Sequence, residues 1–217
     1  MLSDVAQGAI LSPSIFNCFI SSLQPLRVEN SIFKFADDVA ILIPHFKDPQ
    51  DENHCQSEIL HIKRWYQDHG LKLNTNKSKR MLIKKDNFRP QYSCLNEFEE
   101  VNSIKILGII ISNNLSWSSH INHSISRASR NLHILRICKH FMEKSDLVKI
   151  YMSLSQSHLD YGCQLYVGSI THEDSVNISR IVKRAHRIIC GIDCSLNCLP
   201  HPKTRRLELA KNHFNQP

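Results

Sequence analysis

Ser31-Ile32-Phe33-Lys34-Phe35-Ala36-Asp37-Asp38-Val39-Ala40-Ile41-Leu42-Ile43 is the stretch on which the reading of this chain turns. Two apolar, β-prone runs flank a short acidic break. Asp tolerates turn conformations that β-branched residues resist, so the stretch is a β-hairpin with Ala36-Asp37-Asp38 at its tip. Neighbouring carboxylates repel each other, and a carboxylate drawn away from water needs a partner or a metal. Oxygens displayed at a rigid tip suit Mg²⁺, which binds through one or two carboxylates together with substrate phosphates. Taken alone, the acidic break is more simply a solvated turn, because Asp is among the commonest turn residues. The segments on either side decide between the two.

Upstream, residues 1–8 form a loop ending in Gln7-Gly8. Ser12-Pro13 then opens a helix, with Ser as N-cap and Pro at the first helical position. Leu11, Ile15, Phe16, Phe19, Ile20 and Leu23 recur at helical spacing, and Pro25 ends the pattern. Downstream, a polar connection leads to a helix over about residues 51–69. Its apolar stripe is Cys55, Ile59, Ile62 and Tyr66, and Gly70 is its C-cap. A polar, lysine-bearing turn follows at residues 75–79. Residues 81–83 and 104–112 read as strands. From Trp117 the chain turns helical: Ile121, Ile125, Ala128, Leu132 and Leu135 alternate steps of four and three. Two further helices are expected, over residues 145–161 and 173–190. Arg127 and Arg130, with His123, share one face of the first helix; Arg180, Lys183, Arg184 and Arg187 lie on the polar side of the last. The fold class is α+β, with a mixed region at residues 1–116 and a basic helical region at residues 117–217.

The 217 residues allow one large domain or two small ones. A formal charge of +7 and a pI near 9.0 suit a polyanionic partner without proving one. The eight Cys, in a chain without an apolar leader, fit free thiols in a reducing compartment. No run approaches the ~20 apolar residues a bilayer span requires. Signal peptide and membrane span are both missing from the sequence pattern, so an intracellular place, nucleus or cytoplasm, is expected.

Several segments resemble one family in one order. Asp4-Val5-Ala6-Gln7-Gly8-Ala9-Ile10-Leu11-Ser12-Pro13-Ser14-Ile15-Phe16-Asn17 is similar to the loop-and-helix motif G-V-P-Q-G-S-x-L-S-P-x-L-F-N of non-LTR, LINE-like retrotransposon reverse transcriptases. Phe35-Ala36-Asp37-Asp38 resembles their catalytic [FY]-A-D-D box. Trp65 and the run Gly70-Leu71-Lys72-Leu73-Asn74-Thr75-Asn76-Lys77-Ser78-Lys79 resemble the next motif. Ile106-Leu107-Gly108-Ile109, with Leu115-Ser116-Trp117, is similar to the primer-grip stretch. The segments around Asp160-Tyr161-Gly162 and Arg184-Ala185-His186-Arg187 look like thumb-side helices. Four motifs in order outweigh the solvated-turn reading.

The resemblance implies an RNA-directed DNA polymerase: a partial palm at residues 1–116, then a thumb-like region. Two Mg²⁺ ions would serve nucleotidyl transfer in the parent protein, held by Asp37 and its partner Asp38. Gln7 and Gly8 would line the nucleotide pocket. Lys77, or less readily Lys79, would face the leaving pyrophosphate. Leu107 and Gly108 would form the primer grip, and Arg127, Arg130, Arg180, Lys183, Arg184 and Arg187 would contact nucleic acid. The implied partners are an RNA template, a DNA primer and dNTP. The family's third Asp lies on a strand ahead of the Gln-Gly loop, which this sequence does not contain. The expectation is a truncated copy, without fingers or upstream palm, weak in Mg²⁺ binding and inactive as a fragment. Asp4, Ala6 and Ala9 depart from the family's Gly, Pro and Ser. The rival readings are a non-catalytic nucleic-acid-binding module and a non-functional translated remnant.

Other patterns carry less. Cys190, Cys194 and Cys198, with His201, lack the pairwise spacing of a zinc site, and plain thiols outweigh it. His120 and His123 sit one turn apart without an evident third ligand. Trp65 and Trp117 are expected in the core rather than as stacking platforms.

Overall fold

Phe16, Phe19 and Ile20 make the inner stripe of the first helix, α1, Ser12–Ser21. The computed structural model describes residues 10–44, 51–83 and 96–191. Contacts divide the chain into two units, residues 1–80 with 86–101 and residues 81–85 with 102–217. Helix α1 begins one residue earlier than expected. Leu11, not Ser12, is the cap residue, and no side chain caps the end. Pro13 still falls in the first turn, where its missing N–H leaves no hydrogen bond unmade.

In the first unit, β1 (Ser31–Phe35) and β2 (Asp38–Leu42) pair antiparallel, with Phe35 opposite Asp38. The tip is therefore the two residues Ala36-Asp37, and Asp38 already belongs to β2. Ala36 takes φ 49°, as a tight hairpin turn demands of its first central residue. The pleat sends Ile32, Val39 and Ile41 against Ile20, Leu23, Ile62 and Trp65. Phe33 and Phe35 lie on the opposite face and stay exposed. Lys34 shares the inner face, and its ammonium donates to the carbonyls of Ile20 (3.1 Å) and Leu23 (2.6 Å). The last carbonyls of a helix lack intrahelical partners, so one lysine both finishes α1 and fastens β1 to it.

Helix α2, Asp51–Asp68, supplies the other wall. Trp65 is buried as expected, stacked on His69 (4.2 Å between ring centres), and its indole N–H donates to Ser22 Oγ (3.2 Å). Glu58 is fully buried. Its carboxylate accepts from Leu26 N (3.0 and 3.1 Å) and from Asn30 Nδ2 (2.7 Å), stapling the α1–β1 connection to α2. Gly70, at φ 69°, ends the helical segment. The next pairing falls on β3 (Lys79–Arg80), parallel to β4 (Glu99–Glu100), not on residues 81–83. Opposite charges face across it, Lys79 to Glu99 (3.2 Å) and Arg80 to Glu100 (3.0 Å).

In the second unit, the run expected as one strand is a hairpin of β5 (Ser103–Ile106) and β6 (Ile109–Ser112). Leu107 (φ 48°) and Gly108 (φ 84°) form its turn. Two consecutive positive φ values match the twist of a two-residue hairpin, and Gly108 was the signal for it. Helix α3, Ser118–Cys138, buries Ile121, Ala128, Leu132 and Leu135 as its periodicity requires. The helix expected over residues 145–161 is α4 (Lys144–Tyr151), a π turn (Met152–Gln156) and α5 (Ser157–Asp160) in one run. After Gly162 come α6 (Cys163–Tyr166) and α7 (His172–Cys190), which stops at Gly191. Thr171 caps α7 by accepting from Asp174 N (3.1 Å), and the buried Asp174 carboxylate accepts from Ser118 Oγ (2.9 Å). That pair ties the starts of α7 and α3 together. The core holds Leu132, Tyr151, Leu159, Tyr166, Ile178 and Ala185, with Trp117 partly buried against it. Among the described residues the fold is mixed, helices with three two-stranded sheets, and no helix is long and apolar enough to cross a membrane.

Candidate functional site

Asp37 and Asp38 stand where the hairpin turns back, both exposed. Neither makes a side-chain hydrogen bond or ion pair with another described residue. The inner face of the same hairpin is anchored through Lys34, Ile32, Val39 and Ile41. Two hard oxygen donors are thus presented on a tethered support with their lone pairs unspent, a donor set that fits Mg²⁺. Among the described residues no group of three His, Cys, Asp or Glu is placed to hold a metal ion by itself. Exogenous oxygens, such as substrate phosphates or water, would have to complete the shell.

Lys77 lies in the turn after α2, exposed; its backbone N–H donates to Asn74 O (3.2 Å). Lys79, the lesser candidate, is engaged with Glu99. Gln7 and Gly8 lie outside the described residues, as do Cys194, Cys198 and His201.

The Leu107-Gly108 turn is held from one side by Tyr161, whose hydroxyl donates to Leu107 O. A β-carbon on Gly108 would sit 3.1 Å from Tyr161 Cε1, so the ring closes directly over the glycine. Leu107 is a non-glycine residue in a left-handed conformation, a local strain of about 1–2 kcal/mol. The Tyr161 hydroxyl is one contact that holds it there.

The basic residues fall in two places. Arg184 and Arg187 of α7 meet Arg136 of α3, and Lys139 and His140 just after it, around an open groove of about 700 Å³. Arg184 also reaches Ser129 Oγ (3.4 Å), and Arg180 is occupied by Asn177 Oδ1 (2.9 Å). Lys183 is exposed beside them. Arg136 and Lys139 were missed in the sequence, although their three-residue spacing near the end of α3 was visible. Arg127 instead lines a second cleft, of about 370 Å³, together with Gly108, His120, His123, Ser124, Ser157, His158 and Tyr161. His158 was the other omission: nothing in the sequence brings it next to His123.

Burial is the first cause lowering the pKa of all three imidazoles in that cleft. For His120, a backbone hydrogen bond at Tyr161 opposes the shift, and His123 adds to it. For His123 the charges of Lys105, Arg127 and Arg130 add to it. For His158 they are Arg127, His123 and Arg130. Ile110 N donates to His120 Nδ1 (3.4 Å), which places the proton of the neutral ring on Nε2.

The profile of one protein family, the reverse transcriptase (RNA-dependent DNA polymerase) family, matches residues 3–111, about half of the chain. No curated protein and no solved structure gives a match.

Proposed function

The chain belongs to the reverse transcriptase (RNA-dependent DNA polymerase) family, and from that premise we propose that it is the palm and thumb part of a non-LTR, LINE-like retrotransposon polymerase. Residues 1–116 are the palm portion and residues 117–217 the basic, thumb-like portion. The observation that carries the reading is the Asp37-Asp38 pair, one in the turn and one at the start of β2 on a tethered hairpin, exposed and without a cationic partner among the described residues.

In this reading Asp37 and Asp38 hold divalent cations, Mg²⁺ in the cell, which when bound supply charge neutralisation at the transferring phosphate and activation of the primer hydroxyl. Asp37 is the stronger ligand because it occupies the turn itself. Asp38 is set by the strand register and cannot move without breaking the pairing with Phe35. Lys77 offers a mobile ammonium to the departing pyrophosphate. By the family's motif Gln7 and Gly8, outside the described residues, would serve the nucleotide pocket, glycine allowing close backbone approach. Leu107 and Gly108 steady the primer, and the arginine-rich faces of α3 and α7 follow the phosphate backbone by charge. A third carboxylate, which the family carries on a strand ahead of the Gln-Gly loop, is needed beside this pair. Residues 1–217 assayed alone are therefore expected to bind metal weakly and to extend primers poorly.

The test has two arms. Mg²⁺ titration followed by amide NMR is expected to move the resonances of residues 35–39 in the wild type and not in Asp37→Ala. Primer extension on an RNA template is then compared between the two proteins. Extension that survives Asp37→Ala does not come from this site, and a hairpin tip indifferent to Mg²⁺ overturns the catalytic reading. The uncompensated cations of the second unit favour one alternative, a nucleic-acid-binding module without catalysis. Salt-dependent RNA binding with no metal response at the hairpin would select it. A translated remnant would show neither.

A further inference from the structure

The cleft at Gly108, His120, His123, Arg127, His158 and Tyr161 gathers one guanidinium and three imidazoles. From α3 come His120, His123 and Arg127; from α5 and the residue after it come His158 and Tyr161; the charges of Lys105 of β5 and Arg130 of α3 act on its imidazoles without lining it. Among the described residues no carboxylate lines the cleft. Asp160, next in sequence to Tyr161, takes a hydrogen bond from Gln156 Nε2 (2.8 Å) and acts on the buried hydroxyls of Tyr151 and Tyr166. Among the described residues Arg127, Arg130 and Lys105 form no ion pair. The buried Nε2 of His123 has no hydrogen-bond partner. Clustered cations raise one another's energy, and unpaired buried polar atoms cost free energy as well. Both costs fall if an anion enters. At about 370 Å³ the cleft is within the range of small-ligand sites.

We propose that this cleft is an oxyanion site that holds one backbone phosphate of a nucleic-acid strand, with Arg127 as the fixed charge and His123 and His158 as donors that charge as the phosphate arrives. This rests on the nucleic-acid reading above and adds a defined contact to it. Arg127 has five donors in a planar fork that matches a phosphate edge. The two imidazoles are neutral near pH 7 in the empty cleft, because burial and the neighbouring guanidinium groups keep protons off. A phosphate reverses that balance, so binding takes up protons and tightens as pH falls. His120 is buried, holds Ile110 N, and positions the hairpin rather than meeting the phosphate. Ser124 and Ser157 line the same wall and can donate to the remaining phosphate oxygens.

Two measurements test it on the 217-residue chain. Histidine side-chain NMR titrations are run in phosphate and in chloride at equal ionic strength. Phosphate is expected to raise the midpoints of His123 and His158 above their values in chloride. Midpoints equal in the two salts overturn the site. Separately, binding of a short labelled single-stranded RNA is followed from about pH 7.5 to about pH 5.5, expected to tighten roughly tenfold. In the pair His123→Gln with His158→Gln the gain should vanish. In Arg184→Ala, in the other groove, affinity should fall at every pH with the gain intact. RNA binding whose pH profile ignores the double substitution overturns the cleft but spares the nucleic-acid reading. No RNA binding at any pH overturns both.

Discussion

Glu58→Ala should unfold the first unit's scaffold more than any surface substitution. The wild-type carboxylate is fully buried and accepts from two donors, Leu26 N and Asn30 Nδ2. A hydrogen bond to a charged group is worth about 1.5–3 kcal/mol, and a buried donor left unpaired costs about 1–3 kcal/mol. Asn30 is 6% exposed, so its amide is stranded in full. Leu26 is half exposed, and water can take its N–H at a smaller cost. Together the change should destabilise by about 3–5 kcal/mol, against about 5–15 kcal/mol for a whole domain. Glu58→Gln is the sharper control. Its amide oxygen, placed where Oε2 now lies, can accept from both Asn30 Nδ2 and Leu26 N, so its loss should be smaller than that of Ala. Each unit contains one tryptophan, so urea unfolding followed by fluorescence in a Trp117→Phe background isolates Trp65. With a urea slope of about 1–3 kcal/mol per M, the Ala midpoint should drop by about 1 M or more. A loss under about 1 kcal/mol at unchanged slope would refute the claim that this carboxylate fastens the α1–β1 connection.

Other outcomes follow from the second unit. Gly162→Ala forces a β-carbon to 2.4 Å from Ile109 Cδ1 at φ 69°; the strain and the displaced isoleucine should cost about 2–3 kcal/mol in thermal unfolding. Tyr161→Phe removes the hydroxyl from Leu107 O, and amide exchange at Gly108 and Ile109 should quicken by about fivefold to tenfold, while unchanged exchange would mean the turn holds itself. Stability of this unit should depend on pH through His120, His123 and His158. Their folded pKa values lie below the unfolded value of about 6.5. The unfolded chain therefore binds protons first as pH falls, so the stabilisation is complete above about 6.5, declines below it and levels off beneath the folded values. Urea midpoints read through Trp117 should be lower at about pH 5.5 than at about pH 7.5, and a midpoint that rises on acidification would contradict the sign.

Much of this was legible because local rules and tertiary packing agree. The four-and-three rhythm of Ile121, Ala128, Leu132 and Leu135 is the buried face of α3, and the apolar runs around Asp37 are the paired strands. The illegible parts are those where a charged residue faces inward or a turn hides in an apolar run. In α2 the stripe Cys55, Ile59, Ile62, Tyr66 left out Glu58, yet the most buried residues are Cys55, Glu58, Ile62 and Trp65. Glu58 is buried because the α1–β1 loop offers it donors, which no periodicity can reveal. The turn at Leu107-Gly108 was masked by the isoleucines beside it. Register at Lys79–Arg80 was decided by Glu99 and Glu100, twenty residues away. The histidine cleft needs α5 laid against α3, so one-turn spacing gave His120 and His123 but not His158.

The wide turn at Met152–Gln156 sets the angular phase of residues 157–161. A π turn carries one residue more than the α turn it replaces, and one residue is about 100° of helical rotation. Forcing the run into ordinary winding at unchanged length would leave Leu147 and Tyr151 facing the core and turn His158 and Tyr161 by about 100°, away from the positions they now share with Gly108 and Arg127. Deleting one residue there as well, Leu154 for instance, would bring them back into phase. In this segment the match of winding to chain length, more than side-chain identity, decides whether that wall of the cleft exists.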